Sequence, residues 1–259
     1  GIGVWARTLR TDQFTVRYGT SPDSLRHETE PVSTVVGHDN TGWVHIYGLE
    51  PNTKYWYNVI LQGKMTGRGG SFRTLPDSSE LVDGKLNPQG MFNFSFEFAC
   101  GNNQNRSHGS GPSLPSFQTM LDRGVPDQIH FAILNGDWLY ENQRDVTPAQ
   151  WRTQVRHQGA LPTELKVAPT LAGVWANYKL FLEQGTNLAQ WHSVVPSFFT
   201  YDDHECLNDI WGAGSLKYQK FTLSGEIADG WPSDGYTLSS IGDPEKLSGS
   251  ISASANGII

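Results

Sequence analysis

Along residues 1 to about 75, apolar and polar positions alternate in short runs broken by turn formers: GVWARTLR, FTVRYG, WVHIYGL, YWYNVIL and GSFRTLP. A period of two, with no helical period between the runs, predicts consecutive short strands, and strands at that spacing predict a small β-sandwich. From residue 92 the rhythm changes. FNFSFEFAC predicts a strand with Phe92, Phe94, Phe96 and Phe98 on one face; SLPSFQTMLDRG has helical spacing and a glycine stop; IHFAILNGD is a more continuously apolar strand. Strand, helix and strand in that order predict a parallel pair covered on both faces, hence an α/β domain.

Residues 76 to 91, PDSSELVDGKLNPQG with its flanking residue, are polar and rich in turn formers, as a linker is. Domain limits follow at 1–75, 76–91 and 92–259. A helical stretch is predicted over roughly 148 to 192, followed by a third apolar strand, SVVPSFFTY, that runs into DDHECLND. Beyond about 212 the pattern gives way to Gly, Ser and Asp turns, and LSGSISASANGII is low in complexity. In the first domain, Leu49, Pro51, Thr53 and Tyr55 follow the order of the tyrosine corner of fibronectin type III-like domains, which makes Tyr55 structural.

Composition narrows the classes. With 37% hydrophobic and 17% charged residues and nine tryptophans, the chain is globular. A formal charge of −7 supplies no basic face for a nucleic-acid backbone, and no apolar run reaches the roughly 18 residues that span a bilayer. Residue 1 is a glycine that leads straight into a strand, without a signal peptide, so the chain is expected to start after processing or inside a longer product. Cys100 and Cys206 make no disulfide framework; buried thiols or a single bridge are the structural readings.

In an open α/β sheet, ligands bind where loops converge at the carboxyl ends of the strands. Here those ends read Cys100-Gly-Asn-Asn, Gly136-Asp137 and Asp202-Asp203-His204-Glu205. No G-x-S-x-G elbow is present for a serine nucleophile, and GSGPS at 109 to 113 lacks the lysine of a phosphate-cradling loop. What remains is carboxylate, thiolate, phenolate, amide and imidazole, a metal-ligand inventory. An aspartate bridging two cations could hold a hydroxide between them as a nucleophile near neutral pH. Thiolate and phenolate favour a high-valent ion such as ferric iron; oxygen and amide ligands suit calcium, magnesium or manganese. Each piece also has a structural reading. Gly-Asp after a strand serves as a turn or cap, Tyr140 alone is a packing residue, and His192 satisfies a core hydrogen bond. Three acids around one histidine are harder to explain without a cation.

FACGNN, ILNGDWLYEN and FFTYDDHECLND, in that order behind a small sandwich, resemble the PhoD-like alkaline phosphatases of the calcineurin-like metallophosphoesterase superfamily, which includes the purple acid phosphatases. The resemblance implies a dinuclear or multinuclear centre, with Fe3+ and Ca2+, or Mg2+, Mn2+ or Zn2+ in place of calcium. It implies that Asp137 bridges two metals, that Cys100 and Tyr140 bind the iron-like one, and that Asp203 and, more weakly, Asn208 serve the second. Asp137 and His204 then carry the catalysis, His204 contacting phosphate and protonating the leaving oxygen. The implied activity is hydrolysis of small phosphomonoesters or phosphodiesters by a metal-bound hydroxide, in a secreted, periplasmic or cell-surface protein. Cysteine in place of the superfamily's usual Asp-x-His fits the PhoD-like branch.

One departure points elsewhere. The family completes its centre with histidines from later strands, yet no histidine follows His204. The expectation is a C-terminally incomplete α/β domain, with a missing segment or a partner chain completing the site and covering an apolar sheet face. The alternative is a non-catalytic adhesion or assembly module built on a sandwich and a degenerate phosphatase half. Metal content separates the two.

Overall fold

The structure is a computed structural model. It describes residues 1–77, 80, 82–90, 94–103, 111, 113–138, 140, 146–183, 185–200, 202, 204 and 205. Packing divides the chain into two compact units. The first comprises Gly1–Ala99, Pro115–Ile133 and Asn187–Phe198; the second comprises Cys100–Leu114, Leu134–Thr186 and the residues from Phe199 on.

In the first unit, the alternating segments form strands β1 (Ile2–Arg7), β2 (Gln13–Gly19), β3 (His27–Glu28), β4 (Val32–Ser33), β5 (Thr41–Ile46), β6 (Lys54–Leu61) and β7 (Lys64–Arg73). β1 and β5 pair antiparallel from Ile2↔Ile46 to Arg7↔Thr41. The other five make a second sheet of order β3-β2-β6-β7, with β4 also on β2. Val4, Phe14, Val16, Val44 and Ile46 project from β1, β2 and β5 into one core, with Ile2, Val32, Leu49, Tyr57 and Leu61 packed against it. Each such burial is worth about 1.5–3 kcal/mol, so the period of two that predicted strands also binds the two sheets into a sandwich. Gln62 and Gly63 close the β6–β7 hairpin with φ of 51° and 74°. Two successive left-handed residues match the twist of the strands they join.

Tyr55 is buried, and its hydroxyl oxygen accepts a hydrogen bond from the Glu50 backbone N–H at 3.0 Å. The phenol thus ties the β5–β6 connection to the strand it leads into, as expected for a structural tyrosine.

The second grammar yields β8 (Phe96–Ala99), α1 (Pro115–Asp122), a 3-10 turn (Val125–Asp127), β9 (Phe131–Asn135), α2 (Pro148–Gln154), α3 (Thr163–Val167), α4 (Leu171–Glu183), α5 (Thr186–Val194) and β10 (Ser197–Thr200). The sheet order is β10-β9-β8. His130 N–H donates to Ser95 O, Gly101 to Gly136 O and Asn102 to Asp137 O. Partner numbers rise together along both segments, which is parallel pairing. α2 starts on a capping box: Thr147 Oγ1 accepts from Gln150 N–H, and Gln150 Oε1 accepts from Thr147 N–H.

Three details differ from the sequence reading. The helical stretch is four helices, because Pro162, Pro169 and Gly185 each fall at one of the three breaks between them. Ser193 and Val194 end α5 rather than open a strand, and β10 begins only after Pro196, which cannot continue the helix. The sheet is covered on one face only by the described residues. Ala132 and Leu134 are fully buried, but Phe94, Phe96, Phe98 and Phe198 are exposed. Phe94 and Phe96 lie 5.3 Å from the Phe131 ring, and Phe198 meets it edge-on at 5.5 Å. Phe92 lies outside the described residues. Among the described residues, no helix is long and apolar enough to cross a membrane.

Candidate metal centre

The site begins with a backbone event. β9 stops because Gly136 and Asp137 adopt left-handed φ of 77° and 58° in succession, which a pleated strand cannot accommodate. Glycine accepts this freely and aspartate better than most residues. At the end of β8, Gly101 is also left-handed at 73°. The turns register against each other through Gly101 N–H to Gly136 O at 3.3 Å and Asn102 N–H to Asp137 O at 3.1 Å.

Glu205 locks this geometry. Buried to 6% exposure, its carboxylate accepts hydrogen bonds from the backbone N–H of Asp137 at 3.0 Å, of Trp138, and of Asp202 at 2.8 Å. A charged acceptor on several amide donors is stronger than its neutral counterpart, so one side chain fixes the loops after β9 and β10 relative to each other. Trp138, itself buried, stacks edge-on against Phe199 at 5.8 Å beneath the same turn.

The result is a cluster at the strand ends. Ligand atoms of Cys100, Asp137 and Asp202 lie within 4.8 Å of one another. A Cβ placed on Gly101 would stand 3.5 Å from the Tyr140 hydroxyl and 3.9 Å from Asp137 Oδ2, so the phenol borders the same space. The Tyr140 and His204 rings follow at 4.4 Å, with planes 37° apart. Cys100 and Asp202 are exposed and Asp137 is half-buried, which leaves the cluster open to an incoming ligand. The side-chain amide nitrogen of Asn102 is buried with no hydrogen-bond partner among the described residues, a further polar group at the β8 end. Glu97 on β8 is half-buried, and loss of solvent pushes its carboxyl pKa up.

Of the residues singled out in the sequence, the structure brings together Cys100, Asp137, Tyr140 and His204. Asp203 and Asn208, like Cys206, lie outside the described residues. His192 takes the core hydrogen bond expected of it, with Nδ1 3.1 Å from Ser197 Oγ. Enclosure of that ring pushes its pKa down to about 4. Two participants went unassigned in the sequence, Asp202 and Glu205. Both sit in the Asp-Asp-His-Glu block, whose excess of acid was the signal, but nothing in a linear string says which acid faces the cluster and which receives backbone amides.

One thiol, one phenol and acids gather at the carboxyl ends of parallel strands, a donor set that could hold a cation in an α/β sheet. The family model described as PhoD-like phosphatase matches residues 94–228, just over half the chain, and the chain belongs to that family. A solved structure described as "Structure of PhoD" is 20% identical with a TM-score of 0.53, over 87% of this chain and 40% of that one. Purple acid phosphatase PPD1 from yellow lupin (Lupinus luteus) seeds is 13% identical with a TM-score of 0.40, over 95% of this chain and 37% of that one. The first likeness supports the fold; the chain spans about two fifths of the length of these solved relatives. No curated protein matches the chain.

Proposed function

We propose that this chain carries part of the centre of a metal-dependent phosphatase that hydrolyses phosphomonoesters or phosphodiesters. The observation that carries the reading is the convergence of Cys100, Asp137 and Asp202 within 4.8 Å, in a chain whose family is PhoD-like phosphatase. The donor set fits a cation: thiolate, carboxylate and a bordering phenol suit a high-valent ion such as Fe3+, and carboxylate oxygens suit Ca2+ or a similar divalent ion. Cys100, Tyr140 and Asp137 would hold the first and Asp137 with Asp202 the second; Asp203 and Asn208 are proposed for the second as well. When bound, the cations supply Lewis-acid activation of water and neutralise phosphate oxygens, which lets a protein of net charge −7 accept an anion.

The chain's own residues do the rest. Glu205 keeps the two acid-bearing loops in register, so the ligand cluster is set before substrate arrives. His204, against the Tyr140 ring, holds a proton for the departing alkoxide. Tyr140 in turn limits the swing of the imidazole. The sandwich is read as fibronectin type III-like on the strength of its tyrosine corner, and the whole protein as secreted, periplasmic or cell-surface. Further ligands come from a continuation of the chain or a partner chain, which also covers Phe94, Phe96, Phe98 and Phe198.

Elemental analysis, visible absorption and hydrolysis of a chromogenic phosphate ester test this together. The expected outcome is iron with a tyrosinate charge-transfer band, a second divalent ion, and turnover. Asp137→Asn should lower turnover by about a thousandfold or more and strip metal. Full metal content and activity in that variant would overturn the assignment, and absence of stoichiometric metal from the protein with its further ligands supplied would overturn the reading as a whole.

A further inference from the structure

The outward face of β5 and its extension carries aromatic rings from Trp43 to Tyr47. Val4, Val44 and Ile46 point into the sandwich, so Trp43, His45 and Tyr47 point out from alternate positions of β5 and its extension, and Trp5 points out from β1 directly opposite Trp43. Trp5 is 49% exposed, Trp43 60% and Tyr47 73%, against the usual tendency of such side chains to bury. The rings form a continuous row. Trp43 and His45 centroids are 4.8 Å apart with planes 32° apart, and His45 and Tyr47 follow at 5.9 Å with planes 11° apart.

The opposite strand is built to receive this row. Gly3 pairs with His45, and a Cβ there would collide with the Trp43 indole, whose Nε1 would be 2.0 Å away. At Gly1 a Cβ would stand 3.1 Å from the Tyr47 ring. Side chains at these two positions would push the indole and phenol off β1. Glycine lets both rings lean across the neighbouring strand and widen the aromatic surface.

Size and charge select the occupant. Two six-residue strands span a face about 20 Å long and 10 Å wide, far below the roughly 800 Å² per partner that a stable protein interface buries. A single-stranded nucleic acid would also stack on aromatic rings, but it needs lysines or arginines beside them. The arginine on this face, Arg7, is engaged with Asp39 through Nε at 3.4 Å, and the protein is net acidic. A neutral ligand with flat, weakly polarised C–H faces and hydroxyls at its rim fits best: C–H groups meet the negative π face, and the His45 ring, the Trp43 N–H and the Tyr47 hydroxyl meet the rim. We propose that the outer face of β1 and β5 is a carbohydrate-binding platform for β-linked, uncharged glycans, independent of the strand-end centre.

The test is calorimetric titration of the whole chain with a soluble cello-oligosaccharide and a chitin oligosaccharide, with tryptophan fluorescence in parallel. Binding of at least one is expected, weakened about tenfold or more by Trp43→Ala and by Tyr47→Ala, with thermal unfolding unchanged because both side chains point outward. Trp43→Phe should retain part of the affinity. No binding of either oligosaccharide, or equal affinity in both alanine variants, would overturn the proposal. So would a Trp43→Ala variant that loses self-association, single-stranded DNA binding or adhesion to zwitterionic vesicles while sugar binding is absent.

Discussion

In the sandwich, Val4, Phe14, Val16, Val44 and Ile46 exclude water from one another. At the strand ends, by contrast, one carboxylate receives three backbone N–H groups and no second side chain repeats its role among the described residues. The first region spreads its stability over many non-directional contacts. The second concentrates it in a few directional ones, around the left-handed residue Asp137. Apolar burial tolerates small changes of shape, whereas a hydrogen-bonded turn either keeps its acceptor or leaves buried donors unsatisfied. The teaching is that fold and site in this chain should fail separately.

The largest effect is expected in the sandwich. Phe14→Ala removes a ring that is 1% exposed and should cost about 3–5 kcal/mol, read as a lower midpoint in denaturant. Metal content per folded molecule should not change; if it falls in step with stability, the two regions are one cooperative site and the contrast fails.

Acid gives the next effect. His192 titrates at about 4 when folded against 6.5 as its ordinary value, so the unfolded chain takes up the proton first as pH falls. Its contribution is therefore intact above about pH 6.5, declines between there and about pH 4, and amounts to a loss on the order of 3 kcal/mol. His192→Asn should flatten the stability profile in that window; an unchanged profile would mean that other groups govern it.

Glu205→Gln keeps the shape but removes the charged acceptor. Metal affinity should drop about 10–100-fold with a smaller change in melting temperature, the mirror image of Phe14→Ala. Smallest is Tyr55→Phe, which leaves the Glu50 N–H without its acceptor and should cost about 1–2 kcal/mol while sparing metal binding. A selective loss of metal in Tyr55→Phe would place the tyrosine corner in the wrong category.

The legible parts of this molecule were those with a local cause. Alternation in FTVRYG and WVHIYGL produced β2 and β5, and the order Leu49, Pro51, Thr53, Tyr55 produced the bond from Glu50 to the phenol. Less legible was the end of the helical stretch, where Ser193 and Val194 have strand-like neighbours yet are held in α5 by the turn before Pro196. The phenylalanine run read as a covered strand because a period of two reveals which residues share a face and never what lies over that face.

What the sequence alone determined is the list of chemical groups and the elements that carry them: a thiol, carboxylates, a phenol and an imidazole, each just past an apolar strand, behind a sandwich whose core follows from period-two patterning. Only the tertiary structure decided that Asp202 joins Cys100 and Asp137 within 4.8 Å, that Glu205 turns inward to bind backbone amides, and that Gly3 makes room for the Trp43 indole. The reason is physical. Periodicity records which side of a strand a residue occupies, a short-range property; which acid meets which donor depends on loop dihedrals and on pairing between segments far apart in the chain.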